Sequence, residues 1–337
     1  MLKGYAGRRV HVDLSKGEVS TLNLEAGFLE AYLGGKGFAA SILYRETGKG
    51  LNPLSPESLV VLAVGPLTGT AAPGANRLAA CFKSPLTGIW GESYCGGELG
   101  TQLKWAGIDV LTITGRSPKP VYLLVDDGRV EIRDAGYLWG KDSFEAEKAL
   151  IGEVGRDFQA AVIGPAGENL VKFACVTHSR GRQFGRCGLG AVFGSKNLKA
   201  LAFHGSQMPE VANVEALAAF RERISEAVRE KLGSLSNYGT PAISTLLNKV
   251  GALPTRNWRE GSYEKFEEVS PEILKGFYKR RRACYGCPVA CRHLTDLGGG
   301  FWVEGPEYEA FYAFGPLCDI SSPEALARIC EACDRLG

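Results

Sequence analysis

Cys284, Cys287 and Cys291 stand at gaps of three and four residues in the string Cys284-Tyr-Gly-Cys287-Pro-Val-Ala-Cys291. Thiolates this close on a tight bend can converge on three corners of one iron-sulfur cube, with a fourth ligand coming from elsewhere. Zinc is the other metal to weigh, but zinc sites usually pair two short knuckles, and no second knuckle stands in a comparable loop. The bland alternative is three reduced, partly buried cysteines. The spacing favours a [4Fe-4S] cluster. Cys330 and Cys333 resemble another metal pair. Both, however, fall on the apolar stripe Leu326, Ile329, Cys330, Cys333 and Leu336 of a helix with Ser322 as N-cap and Pro323 at its first position, so core packing accounts for them better. The basic run Lys279-Arg280-Arg281-Arg282 ahead of the triplet suits three roles equally: docking an acidic partner, offsetting cluster charge, or forming a solvated face.

The elements that must position these residues change character along the chain. Residues 8–14 and 19–24 alternate as the two arms of a hairpin. Residues 25–45 read as a helix interrupted by glycines at 34, 35 and 37, and 58–64 as a continuous apolar strand. A long glycine-rich stretch follows, and then strands at 110–115, 121–125, 130–133, 160–163, 171–177 and 200–204. Too few helices separate these strands for a regular βαβ repeat, which predicts a mixed α+β domain over residues 1–208. From residue 209 to 337 helical period dominates, with helices predicted at 214–232 (stripe Leu217, Ala218, Phe220, Ile224), 242–250, 271–278 and 308–317.

The chain has 337 residues, with 39 basic against 37 acidic side chains. That near-neutral balance calls for neither nucleic acid nor an anionic membrane. Ten cysteines without a disulfide-like framework fit a reducing compartment. The absence of a signal-like start or a long apolar run makes the cytoplasm the expected location.

Several strings, taken in order, resemble the aldehyde:ferredoxin oxidoreductase family: Gly65-Pro-Leu-Thr-Gly-Thr70, Lys83-Ser-Pro-Leu-Thr-Gly88, Ile163-Gly-Pro-Ala-Gly-Glu-Asn-Leu170, Gly190-Ala-Val-Phe-Gly-Ser-Lys-Asn-Leu198, the cysteine triplet and Glu304-Gly-Pro-Glu-Tyr-Glu309. The resemblance implies tungsten, or molybdenum, held by two pterins beside one [4Fe-4S] cluster. It also implies a β-rich base of two sheets under the pterins and helical domains covering it. Residue by residue, it implies that Cys284, Cys287 and Cys291 ligate the cluster. Arg77 would lie between pterin and cluster, and Arg182, Gly96 and Gly185 would contact pterin. The backbone carbonyls of Tyr94 and Gln183 would hold a Mg2+ bridging the pterin phosphates, and Asp334 would accept hydrogen bonds from pterin ring nitrogens. Glu309 would be the carboxylate near the metal that moves a proton.

The family's second pterin motif, its fourth cluster cysteine and a histidine near the metal have no counterpart here; Cys318 is the nearest spare thiol. The expectation is therefore the N-terminal portion of a longer or split enzyme, whose partners are the remaining C-terminal part, a small aldehyde and ferredoxin, with room for a homo-oligomer. The rival readings are a ring-reducing tungsten subunit of the benzoyl-CoA reductase type, a pterin-free iron-sulfur electron-transfer protein, and a non-catalytic remnant.

Overall fold

The computed structural model describes residues 2–298 and 300–337. The chain divides into two compact units, the first comprising residues 1–218, 284–286 and 335–337 and the second residues 219–283 and 287–334.

The first unit holds two six-stranded sheets. One runs β2-β1-β6-β3-β4-β5, from β1 (Arg8–Asp13), β2 (Glu18–Asn23), β3 (Val60–Ala63), β4 (Leu78–Lys83), β5 (Trp90–Cys95) and β6 (Val110–Thr114). The other runs β11-β10-β9-β12-β7-β8, from β7 (Val121–Asp126), β8 (Arg129–Asp134), β9 (Gln159–Val162), β10 (Val176–His178), β11 (Arg182–Phe184) and β12 (Leu198–His204). Pairing is parallel between β1 and β6 and between β7 and β12, and antiparallel elsewhere, so both sheets are mixed.

The period of two along a strand explains why the apolar runs are continuous. Val60, Leu62 and Val64 enter a core that both sheets share with Leu123, Leu201 and Phe203. The intervening Val61 and Ala63 face outward against Phe38, Ile42 and Leu43 of the helix Lys36–Glu46. The second sheet is covered likewise by Ala146 and Leu150, four residues apart on the helix Ser143–Val154. That helix starts where Asp142 accepts a hydrogen bond from Glu145 N. Each fully buried Val or Leu contributes about 1.5–3 kcal/mol, so strands covered on both faces are the rigid part of this unit.

Several expected elements change. The strand expected at 171–177 is only Val176–His178, and β4 and β5 emerge from the glycine-rich stretch, where no strand was anticipated. Glycines of the resembling strings close-pack the helices Pro165–Glu168 and Leu189–Ser195: a Cβ on Gly194 would lie 2.0 Å from the Gly167 carbonyl oxygen.

Three lysines are fully buried in this unit. Lys104 pairs with Asp109 and Lys199 with Glu168, whereas Lys196 donates to carbonyls, of Pro56 at 3.0 Å and Gly115 at 3.3 Å, with no carboxylate paired to it among the described residues. Burial pushes Lys196 down to about 8. Because the folded value lies below the unfolded one of about 10.4, the cost of burying the charge is present below about pH 8. It is relieved as pH rises through the folded pKa toward the unfolded one, by on the order of 3 kcal/mol. Stability measured from pH 7.5 to 10 should therefore rise in the wild type relative to Lys196→Met. Parallel profiles would refute this.

The second unit is helical around a core of Leu253, Tyr263, Phe266, Val269, Leu274, Phe311 and Leu326, but it also carries a three-stranded antiparallel sheet. Its strands are β13 (Tyr278–Arg282), β14 (Arg292–Asp296) and β15 (Trp302–Glu304). The basic run is thus β13, an edge strand whose exposed cations discourage edge-to-edge pairing; Arg282 is paired with Glu304 at 3.0 Å. On the helix Pro323–Leu336 the expected stripe holds only in part. Leu326 and Cys330 are buried, while Cys333 and Leu336 are exposed. Burial, with Asp334 second, pushes the Cys330 thiol up to about 12, which suits a packed thiol and not a ligand. Among the described residues no helix is long and apolar enough to cross a membrane.

Candidate cofactor site

Within the first unit, the edge strand of one sheet meets the edge strand of the other. β5 and β11 run together, with Arg186 N donating to Ser93 Oγ at 3.5 Å just past β11. Edge strands leave backbone groups unpaired on one side, which makes such a junction a natural seat for a polar ligand. Residues 284–286 belong to this unit and are pinned there by Asn76. The Asn76 side chain, 2% exposed, donates to the Tyr285 carbonyl at 3.0 Å and accepts from Gly69 N at 2.6 Å. Tyr285 N reaches the Gly97 carbonyl at 3.3 Å, and its ring meets Trp105 edge-on at 5.2 Å.

These contacts fix Cys284, whose Sγ accepts two hydrogen bonds, from Gly97 N and from Arg182 Nη1, each at 3.2 Å. A Cβ on Gly96 would stand 2.9 Å from that sulfur and 3.0 Å from Arg182 Nη1, and one on Gly97 would stand 2.7 Å from His178 Nε2. The glycine pair is therefore what lets backbone approach a sulfur and a guanidinium together. Two N–H donors, one cationic, are thus aimed at one sulfur. This donor set fits a sulfur that ligates an iron-sulfur cluster.

The remaining expected residues of the first unit lie along the same two strands. Tyr94 faces Ala79 across the β4–β5 pair, and burial, then Glu92, holds its phenol above the usual range. Gln183 sits opposite Thr177, whose hydroxyl donates to its Oε1 at 2.9 Å. Arg77 is exposed immediately before β4, which begins opposite Cys95, and Gly185 is exposed just after β11. Three residues escaped the sequence reading. Gly97 stood beside Gly96 and Asn76 beside Arg77, so adjacency was their only signal, while nothing in the sequence marked His178.

In the second unit, Cys287 and Cys291 are half-buried on the stretch joining β13 to β14, whose pairing closes with Arg282 opposite Arg292. Three carboxylates follow. Glu304 is buried and held by Arg292 at 2.9 Å. Glu307 accepts from Thr240 Oγ1 at 2.6 Å and Arg292 Nη1 at 3.4 Å. Glu309, in the first turn of the helix Tyr308–Phe314, is exposed and engages no cation or donor among the described residues. Asp334 is half-buried near the end of the helix Pro323–Leu336. Cys318 is exposed, its thiol 3.1 Å from the Ala313 carbonyl.

Comparison with known proteins gives a consistent answer. Residues 9–205 match the family described as aldehyde ferredoxin oxidoreductase, N-terminal domain, and residues 215–337 match its domains 2 and 3. The chain is 38% identical, over 99% of its length and 56% of the relative's, to the tungsten-containing aldehyde ferredoxin oxidoreductase of Pyrococcus furiosus. It is 33% identical to the WOR-like subunit of an aliphatic sulfonate oxidoreductase from the same organism, over 99% of this chain and 57% of that one. Among solved structures, the active site complex BamBC of benzoyl coenzyme A reductase superposes with a TM-score of 0.87 at 28% identity, over 100% of this chain and 54% of that one. The chain spans about half the length of the relatives it matches. It belongs to the aldehyde ferredoxin oxidoreductase family.

Proposed function

We propose that this chain is part of a tungsten-dependent oxidoreductase that oxidises aldehydes to carboxylic acids and sends the electrons through a [4Fe-4S] cluster to ferredoxin. The observation that carries the reading is Cys284 Sγ held between Gly97 N and Arg182 Nη1 at the β5–β11 junction, in a chain of this family. Cys284, Cys287 and Cys291 would ligate the cluster. Arg77, Gly96, Arg182, Gly185 and Asp334 would hold the pterins, with a magnesium ion on the carbonyls of Tyr94 and Gln183. When bound, tungsten supplies the two-electron, oxygen-transferring chemistry that converts an aldehyde and water into an acid. The chain's own contribution to the reaction is Glu309, a carboxylate that no ion pair among the described residues consumes and that is suited to taking the proton released from water.

The relatives differ in substrate: one is named for aldehydes, one for aliphatic sulfonates and one for benzoyl coenzyme A. The aldehyde reading is favoured over ring reduction because the aldehyde-named relative is 38% identical and the benzoyl coenzyme A structure 28%. The test uses the protein together with its downstream sequence. About four irons per chain, with tungsten, phosphate-bearing pterin and aldehyde-dependent reduction of ferredoxin, is the expected result. Iron without tungsten, molybdenum or pterin would end the proposal in favour of a simple electron-transfer module.

A further inference from the structure

Arg182 differs from other arginines of the first unit in what its charge meets. Arg9 is paired with Glu46 and Arg335 with Asp142, whereas no carboxylate pairs with Arg182 among the described residues. Among the described residues its guanidinium hydrogen-bonds the Cys284 sulfur, at 3.2 Å. On β11 Arg182 stands in register with His178, which is 1% exposed. His178 Nδ1 lies 2.7 Å from the Ala160 carbonyl, and since a carbonyl only accepts, Nδ1 carries the hydrogen. The glycine at 97 leaves the space in which the imidazole and the Arg182 stem pack side by side: a Cβ there would lie 2.7 Å from His178 Nε2 and 2.8 Å from Arg182 Cδ.

We infer that Arg182 sets the reduction potential of the cluster that Cys284 ligates, acting as a positioned cation rather than only as a cofactor clamp. The inference rests on the proposed reading of the site. A reduced cluster carries one more electron and so one more negative charge, shared with its sulfur ligands. An unneutralised guanidinium on one of those sulfurs stabilises the reduced form more than the oxidised form, and hydrogen bonds to the sulfurs act in the same direction. One electron enters, no bond breaks and no proton moves. A guanidinium carries five N–H donors in a fork, so the sulfur contact leaves others for a pterin.

The test is an EPR-monitored redox titration of the iron-loaded protein, expressed with its downstream sequence, for wild type, R182K and R182Q. The expected result is that R182Q retains its iron but its one-electron reduction constant falls at least tenfold, a shift of 59 mV, while R182K, which keeps the charge, stays closer to wild type. Equal potentials in wild type and R182Q would overturn the inference. So would loss of iron from R182K and R182Q alike, since the arginine would then be only structural. A wild-type protein that binds no iron is a different result, and it would remove the proposed function itself.

Discussion

Cys284→Ala is expected to abolish the visible iron-sulfur absorption and to take bound iron well below about four per chain, while Cys318→Ser leaves both unchanged. Two contacts separate these thiols. Cys284 Sγ receives hydrogen bonds from Gly97 N and from the Arg182 guanidinium, the kind of donors that surround cluster-ligating sulfurs. The Cys318 thiol is exposed and donates instead to the Ala313 carbonyl at 3.1 Å. Ultraviolet-visible spectra and iron analysis of the two variants suffice. An unchanged spectrum in Cys284→Ala would show that the triplet is not the cluster site.

The second large effect is expected at Glu309. Glu309→Gln should lower turnover by about 10²- to 10⁴-fold, the usual contribution of a positioned proton-transfer group, with metal and pterin content unchanged. Glu307→Gln should instead weaken the fold by about 1–3 kcal/mol, because Glu307 accepts from Thr240 Oγ1 and Arg292 Nη1 and its loss leaves those donors without an ionised partner. Steady-state kinetics read beside thermal unfolding separate the two carboxylates. Undiminished turnover in Glu309→Gln would assign the proton transfer elsewhere.

The contrast between these two glutamates also shows where the sequence stops being informative. Glu304, Glu307 and Glu309 are equivalent as letters in one short string, and only the position of Arg292 consumes two of them and leaves the third exposed. The helix Val214–Lys231 teaches the same lesson. Its period predicted a helix, and a helix forms, but Phe220 remains 38% exposed and Val228 is the buried residue. Periodicity reports backbone conformation, whereas burial depends on what packs against the face.

By itself the sequence determined what is local. The cysteine spacing, the buried apolar strands around Val60–Ala63 and Leu198–His204, and the ordered strings that carry the family resemblance all lie within short windows where residue type and periodicity act directly. β4, β5 and β13 were not legible, because glycine-rich flanks and four consecutive cations mask the alternation that marks a strand. Only the tertiary structure decided which donors reach Cys284, for Gly97 and Arg182 lie 187 and 102 residues away along the chain. A hydrogen bond across that separation follows from the meeting of two sheet edges, which no short stretch of sequence encodes.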